Sequence, residues 1–346
     1  MSLSALLVLL LCGAIALLLF RHLNRRTLRA TKSKSKSKNR VSQVWGDTRP
    51  LGTELKQLPD DTATWQLSKL CRARALWEEL EDAAANGAND SLTIVAEPDA
   101  LSSFELSFAF ADGDELYIRE KIRGFPLGLV PWLSIVREID AFLSQLPSKI
   151  TDHIDQMTVA HQFARNDLLY RLRLRPFGPI PGIDDAYSAL LFDVADEEPP
   201  DECDGDHRAV LVYVESPPDD ATSIRGVTIE APRSGCKRTR NLHVVGYVTP
   251  SVIGATEPHG RLDVDVMAKL QLPFPRWLIP KPLLRWFVPL VLKLVFPSIA
   301  RLREGFEASA LNESVRADVD GFYAAIARRY QAFSPSDSRT RKPIAS

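Results

Sequence analysis

Cysteine is scarce in this chain: there are four in 346 residues, Cys12, Cys71, Cys203 and Cys236. No pair has the close spacing of a zinc site, and four scattered thiols are no disulfide framework, so the pattern fits a reducing compartment. Catalytic signatures are missing too. There is no Gly-x-Ser-x-Gly elbow, no Walker phosphate loop and no dinucleotide fingerprint, which removes the usual traces of acyl hydrolysis, nucleotide hydrolysis and redox catalysis. The six histidines, His22, His153, His161, His207, His243 and His259, show no His-Glu-x-x-His or other paired ligand spacing. No cofactor and no metal are expected.

Acidic residues are absent from the first 40 positions. Residues 2–20 carry no ionisable side chain at all, and a helix of that length rises roughly 28 Å, close to the thickness of a hydrocarbon core. A transmembrane helix is therefore expected over 2–20. A cleaved secretory signal would put basic residues ahead of a shorter apolar run and end in a small-residue cleavage site, and neither is present. The basic residues come afterwards, at Arg21, Arg25, Arg26, Arg29, Lys32, Lys34, Lys36, Lys38 and Arg40. Such residues stay on the cytosolic side of a span, so the N-terminus is expected in the lumen or outside and the main domain in the cytosol. The same run suits contact with anionic headgroups, at roughly 1 kcal/mol per charge near the surface. Its alternating Lys-Ser stretch has nothing to bury and is expected to be disordered. Nucleic acid is not an expected partner, because no aromatic residue is interleaved with these charges.

Subtracting those nine from 43 Lys and Arg leaves 34 against 44 Asp and Glu, a formal −10 for residues 41–346. An acidic domain behind a basic stalk suits a tether better than a broadly adhering surface.

Hydrophobic periodicity then organises the chain as a linker up to residue 63, one large domain over 64–334 and a polar tail over 335–346. Leu67, Leu70, Cys71, Trp77 and Leu80 predict an amphipathic helix over 64–85 with Gly87 as its stop. Strands are predicted at 91–96, 104–111 and 115–124, with Asp112-Gly113-Asp114 as a hairpin turn. A helical stretch over 127–150 follows, and then strands near 157–165, 168–174, 187–194, 208–215, 225–231, 241–249 and 261–270. Proline-rich breaks fall at 176–181 and 273–282. A long apolar helix over about 283–310, kinked at Pro289 and Pro297, precedes a shorter one over 313–333 whose stripe is Val315, Val319, Phe322, Ile326 and Tyr330. Arg285, Lys293 and the prolines argue against a second span over 283–300. The order of elements gives an α+β domain, a curved antiparallel sheet wrapped around the last long helix, with an apolar cavity where the two do not meet.

Three stretches carry a resemblance. Arg137-Glu138-Ile139-Asp140 follows Pro131 and Trp132; Pro179-Ile180-Pro181-Gly182-Ile183-Asp184-Asp185 has a Pro-x-Pro start; and Leu272-Pro273-Phe274-Pro275-Arg276-Trp277-Leu278-Ile279 leads into the apolar helix. Over about 64–310 the chain resembles the START (StAR-related lipid-transfer) family, although Asp184 stands where that family usually has Arg. The resemblance implies the helix-grip fold, a lipid or sterol ligand, and a non-enzymatic role.

Candidate lipid contacts are Arg165 and His243 as polar groups, with Trp132, Phe177, Tyr247, Trp277, Trp286 and Phe287 as lining. Each has an ordinary counterpart reading as a salt-bridged or core residue. The pairs Asp184/Asp185 and Asp263/Asp265 read as turn or solvent-face residues rather than as an acid and a base. The expected function is membrane-tethered binding of a lipid or sterol, with transfer between membranes as one use. A ligand-sensing module without transfer is the alternative, and a cyclase or hydrolase on the same fold, using Arg165, His243 and cavity carboxylates, is a third.

Overall fold

A computed structural model describes residues 60–86, 91–110, 115–146, 151, 154–176, 181–193, 210–253, 260–271 and 281–331. The predicted span, the basic stalk, the Asp112–Asp114 turn and the Leu272–Ile279 stretch lie outside the described residues. Among the described residues, no helix is long and apolar enough to cross a membrane.

Helix α1 (Asp60–Asn86) leads into β1 (Ser91–Asp99), β2 (Ser102–Phe110) and β3 (Glu115–Phe125), then α2 (Leu129–Arg137) and α3 (Ile139–Leu143). Next come β4 (Ile154–Ala164), β5 (Asp167–Leu174), β6 (Gly182–Asp193) and β7 (Val210–Glu215). Three two-residue strands, β8 (Ser223–Ile224), β9 (Val227–Thr228) and β10 (Cys236–Lys237), precede β11 (Arg240–Pro250) and β12 (Leu262–Gln271). The chain finishes with α4 (Lys281–Gly305), α5 (Ala310–Ala317) and α6 (Phe322–Gln331).

The main sheet runs β1-β2-β3-β12-β11-β7-β6-β5-β4, and every pair along that path is antiparallel. Its alternation sorts side chains into two layers. On one face Leu106, Phe108, Ile118, Ile122, Tyr170, Val212, Val244 and Val266 join Leu284, Val288, Leu292 and Ile299 of α4 in the larger core. On the other face Leu190, Leu211, Tyr213, Val245 and Met267 pack against Ala73, Leu76 and Leu80 of α1. Phe296 of α4 reaches the inner face in edge contacts with Phe104 and Phe125, at 6.1 Å and 6.0 Å between ring centroids. The sheet gripping its last long helix is the arrangement that the START resemblance implied.

Several expectations need correction. The buried face of α1 is Ala73, Leu76 and Leu80, whereas Leu67 and Cys71 face solvent. Spacing alone fitted more than one face, and packing on the sheet chose the one that carries Ala73, Leu76 and Leu80. The predicted strand at 225–231 is only the second half of a tight hairpin, β8–β9. Arg225 and Gly226 have φ of +50° and +83°, as a primed two-residue turn demands. The helical stretch over 127–150 breaks at Glu138, where φ and ψ are −114° and 52°.

The predicted C-terminal helix divides into α5 and α6, and Val319 is 80 % exposed instead of lining a stripe. Two acidic residues cause the break. Asp318 takes a left-handed backbone, and its carboxylate accepts from the Tyr323 and Ala324 N–H groups, capping α6. Asp320 accepts from Phe322 N and binds Arg137. Helix α4, by contrast, runs unbroken through Pro289 and Pro297.

Candidate functional site

The inner face of the sheet, opposite α4, is largely apolar, and Glu120 and Asp185 are buried carboxyl groups on it. Along β3 the buried positions alternate as Leu116, Ile118, Glu120 and Ile122, while Tyr117, Arg119 and Lys121 point to the opposite side. Glu120 is 2 % exposed. Its strand neighbours are Leu106 on β2 and Val266 on β12, both members of the inner core. Among the described residues of β1, β2, β3, β12, β11 and β7, it is the one buried carboxyl group on this face. Removing a carboxylate from water is expensive unless polar partners replace the lost hydration.

A second buried carboxyl, Asp185, sits further along the sheet on β6. It is fully buried and accepts backbone hydrogen bonds from Ala186 N at 2.9 Å and Thr239 N at 2.8 Å. Burial pushes its pKa up and the two N–H donors pull it back, leaving it at about 7. Tyr187 hydroxyl lies 2.7 Å from Thr239 Oγ1 and ties down the same loop. The neighbouring Asp184 faces the other way. It takes Arg171 Nη2 at 2.5 Å, Arg173 Nε at 3.1 Å and the Arg233 N–H at 3.0 Å. The turn or solvent reading of Asp184 and Asp185 is thus corrected: β6 begins at Gly182, and each carboxylate fastens one part of the long β7–β11 connection. Asp263 and Asp265 do lie toward solvent on the outer side, where they pair with Arg123 and Arg119.

The predicted contacts do not converge. Trp132 is buried in the inner core on α2. Arg165 is exposed in the turn between β4 and β5. His243 and Tyr247 share the strand face of Val245, under α1; Tyr247 meets Trp77 edge-on at 5.0 Å, and Glu215 and Arg72 are among the charges around His243. Burial there lowers the His243 pKa. A one-residue difference in register decides which face a strand residue joins, and on β11 it gives the inside to Leu242, Val244 and Val248. Trp286 is on the solvent side of α4 at 58 % exposure. Phe177, Trp277 and the side chain of Phe287 lie outside the described residues. Arg165 and His243 therefore share no site with the inward carboxyl groups, and the catalytic constellation considered for an enzyme is not assembled.

Glu120 was missed although its signal is in the sequence. In Glu115–Phe125 the period-2 pattern sets Leu116, Ile118 and Ile122 on one side, and an acid in phase with them is the anomaly. Among the described residues, no group of three His, Cys, Asp or Glu side chains is placed to hold a metal ion.

Neither a protein-family model nor a curated protein matches the chain. Several solved structures are similar in shape. A STAR-related lipid transfer protein fragment from Xanthomonas axonopodis aligns at 14 % identity and a TM-score of 0.39, covering 61 % of this chain and 98 % of its own. Human STARD10 aligns at 12 % and 0.42, covering 84 % and 91 %. The lipid transfer and protein localization domain of human StarD13 aligns at 14 % and 0.37, covering 67 % and 96 %.

Proposed function

We propose that this protein binds one lipid or sterol molecule between the inner face of its sheet and α4, with the polar end of the ligand at Glu120. The observation that carries this reading is a single buried acid on an otherwise apolar inner half-sheet. A carboxyl group in this layer offers acceptor oxygens, so it suits a ligand whose polar group donates: a hydroxyl, an amide N–H or an amine. The resemblance of Leu272–Ile279 and the helix after it to the START family supports the same reading. In this proposal residues 2–20 anchor the chain and the basic run over 21–40 lies against anionic headgroups, so that the domain works beside its own membrane.

The test is to purify the full chain, extract what it carries and identify it by mass spectrometry. A lipid with a hydrogen-bond donor is expected. Glu120→Leu removes the carboxyl group and keeps a side chain of similar size in the apolar layer. A buried hydrogen-bonding group left unpaired costs about 1–3 kcal/mol, so the variant should bind the same lipid roughly tenfold more weakly. An empty wild type, or a Glu120→Leu protein with unchanged affinity, would defeat the proposal. Vesicle-to-vesicle transfer by the same protein distinguishes carriage from sensing.

A further inference from the structure

The outer face of the sheet has two covers, and one side chain joins them. Helix α1 lies over β7, β11 and β12, while Ala221, Ile224, Val227 and Ile229 of the β7–β11 connection pack on Leu169 of β5 and Ala186 of β6. Arg225, at the tip of the β8–β9 hairpin, reaches from the second cover to the first. Its guanidinium lies 4.3 Å from the ring centroid of Trp65, in the first two turns of α1, and 4.0 Å from that of Phe163 on β4. The same group pairs with Asp167, a fully buried carboxylate at the start of β5. Burial pushes the Asp167 pKa up, and Arg225 pulls it back. Nearby, Gln66 of α1 donates to Asn166 Oδ1 at 3.5 Å, and Asn166 donates to Leu191 O at 3.0 Å. The backbone of Arg225 costs free energy to hold, because its φ of +50° is in the left-handed region. Among the described residues the other non-glycine cases are Asn241 and Asp318, types that tolerate this region. A hairpin tip of this kind ordinarily takes Asn or Asp ahead of its glycine. An arginine kept there, ahead of Gly226, has a stacked and paired side chain to offset the strain.

We infer that the β8–β9 hairpin is a strap fastening the first two turns of α1 to the sheet, with Arg225 as its latch, and that the strap and the start of α1 open together as one unit while the rest of the domain stays folded. Local opening of this kind follows units held by shared contacts, and Arg225 is the contact these two segments share. Residues 1–59 join the domain at the start of α1, so a displacement of that segment acts on the latch within two turns. Opening would uncover Leu169 and Ala186 on the outer face. The device is independent of what the inner face binds.

Amide exchange of the full chain, read by mass spectrometry, tests this with two variants. Arg225→Ala removes the stacking and the ion pair at once. Peptides over 60–70 and 216–232 should then exchange together, about a hundredfold faster, while 76–86, β2, β3 and α4 keep their wild-type rates. Gly226→Val strains the turn instead: φ is +83° there, and a Cβ would meet no atom within 4 Å, so the interior is untouched. It should accelerate the same two regions by about fivefold or more. Should Arg225→Ala lose its fold as a whole, Gly226→Val decides alone. Acceleration that stays within 216–232, that spreads evenly over the domain in Gly226→Val, or that is absent from 60–70 would overturn the inference.

Discussion

Asp184 and Asp185 are adjacent in sequence and opposite in task. Because a strand turns successive side chains to opposite faces, one carboxylate reaches Arg171, Arg173 and the Arg233 N–H on the outer side, while the other holds Thr239 N on the inner side. Asp185 has the larger consequence for pH. Its folded pKa is about 7, against roughly 3.9 for an unfolded aspartate, so between those values the folded chain holds a proton that the unfolded chain has released. Stability contributed by this group is therefore present below about pH 4 and declines as pH rises to about 7, by at most about 4 kcal/mol. Urea denaturation at pH 5 and pH 8 should show this decline in the wild type. Asp185→Asn should be flatter across the same interval, since its amide does not titrate. If the two proteins had parallel pH profiles, the buried carboxyl would not be the source. Sequence spacing offered no route to this. Two acids beside Pro181 and Gly182 look like a turn, and only the start of β6 at Gly182 makes them interior residues.

Among elements, the terminal helices show how tightly a short segment is held by one cation. Arg137, at the end of α2, donates to Asp320 at 3.3 Å and 2.5 Å and lies over the rings of Phe322 and Tyr323, 4.5 Å and 5.1 Å from their centroids. Both members of the ion pair are largely buried. Burial raises the Asp320 pKa, yet the hydrogen bond and charge of Arg137 outweigh it and hold that carboxyl below its usual range. Arg137→Ala would strand Asp320 and strip a cation from two aromatic faces. Breaking a buried pair in this way costs about 3–5 kcal/mol. Amide exchange should accelerate in α6 first, while α1 on the far side of the sheet keeps its protection. Equal acceleration in both helices would mean that α6 is not held independently.

Much at this scale was legible beforehand: the succession of most strand segments along the chain, the pairing of β2 with β3, and the long C-terminal helix all follow from period and punctuation. What was not legible depended on contacts between distant segments. The stripe through Val315, Val319 and Phe322 was a sound reading of period, and it failed because Asp318 and Asp320 had better partners than a continuous helix offers. His243 and Tyr247 were assigned to the inside because an alternating strand has no intrinsic inner face. Glu120 went unnoticed for the complementary reason, since its phase with Leu116, Ile118 and Ile122 was there to read.

For the whole molecule, the two contacts proposed for the N-terminal region respond differently to salt. Raising ionic strength from about 0.1 M to about 1 M shortens the screening length from about 10 Å to about 3 Å, which weakens headgroup contact at the basic run. An apolar segment inserted over residues 2–20 is indifferent to such screening. Full-length protein on phosphatidylserine vesicles should therefore stay with the lipid in a high-salt flotation gradient. Release of the protein into the soluble fraction would show that charge alone was holding it, and that the apolar N-terminal residues do not insert.

The ends of the sheet bear on how copies of this chain meet. The path from β1 to β4 never closes on itself, and an open border of unpaired amides is an invitation to another strand. Here β4 slips register at three places against β5, and β1 carries an irregularity between Ala96 and Asp99, with the backbone of α4 drawn close to it. Each slip bends the ladder out of plane. Copies of this chain that meet edge to edge thus present frayed selvedges instead of straight seams, and strand-by-strand stitching between molecules finds no regular thread to follow.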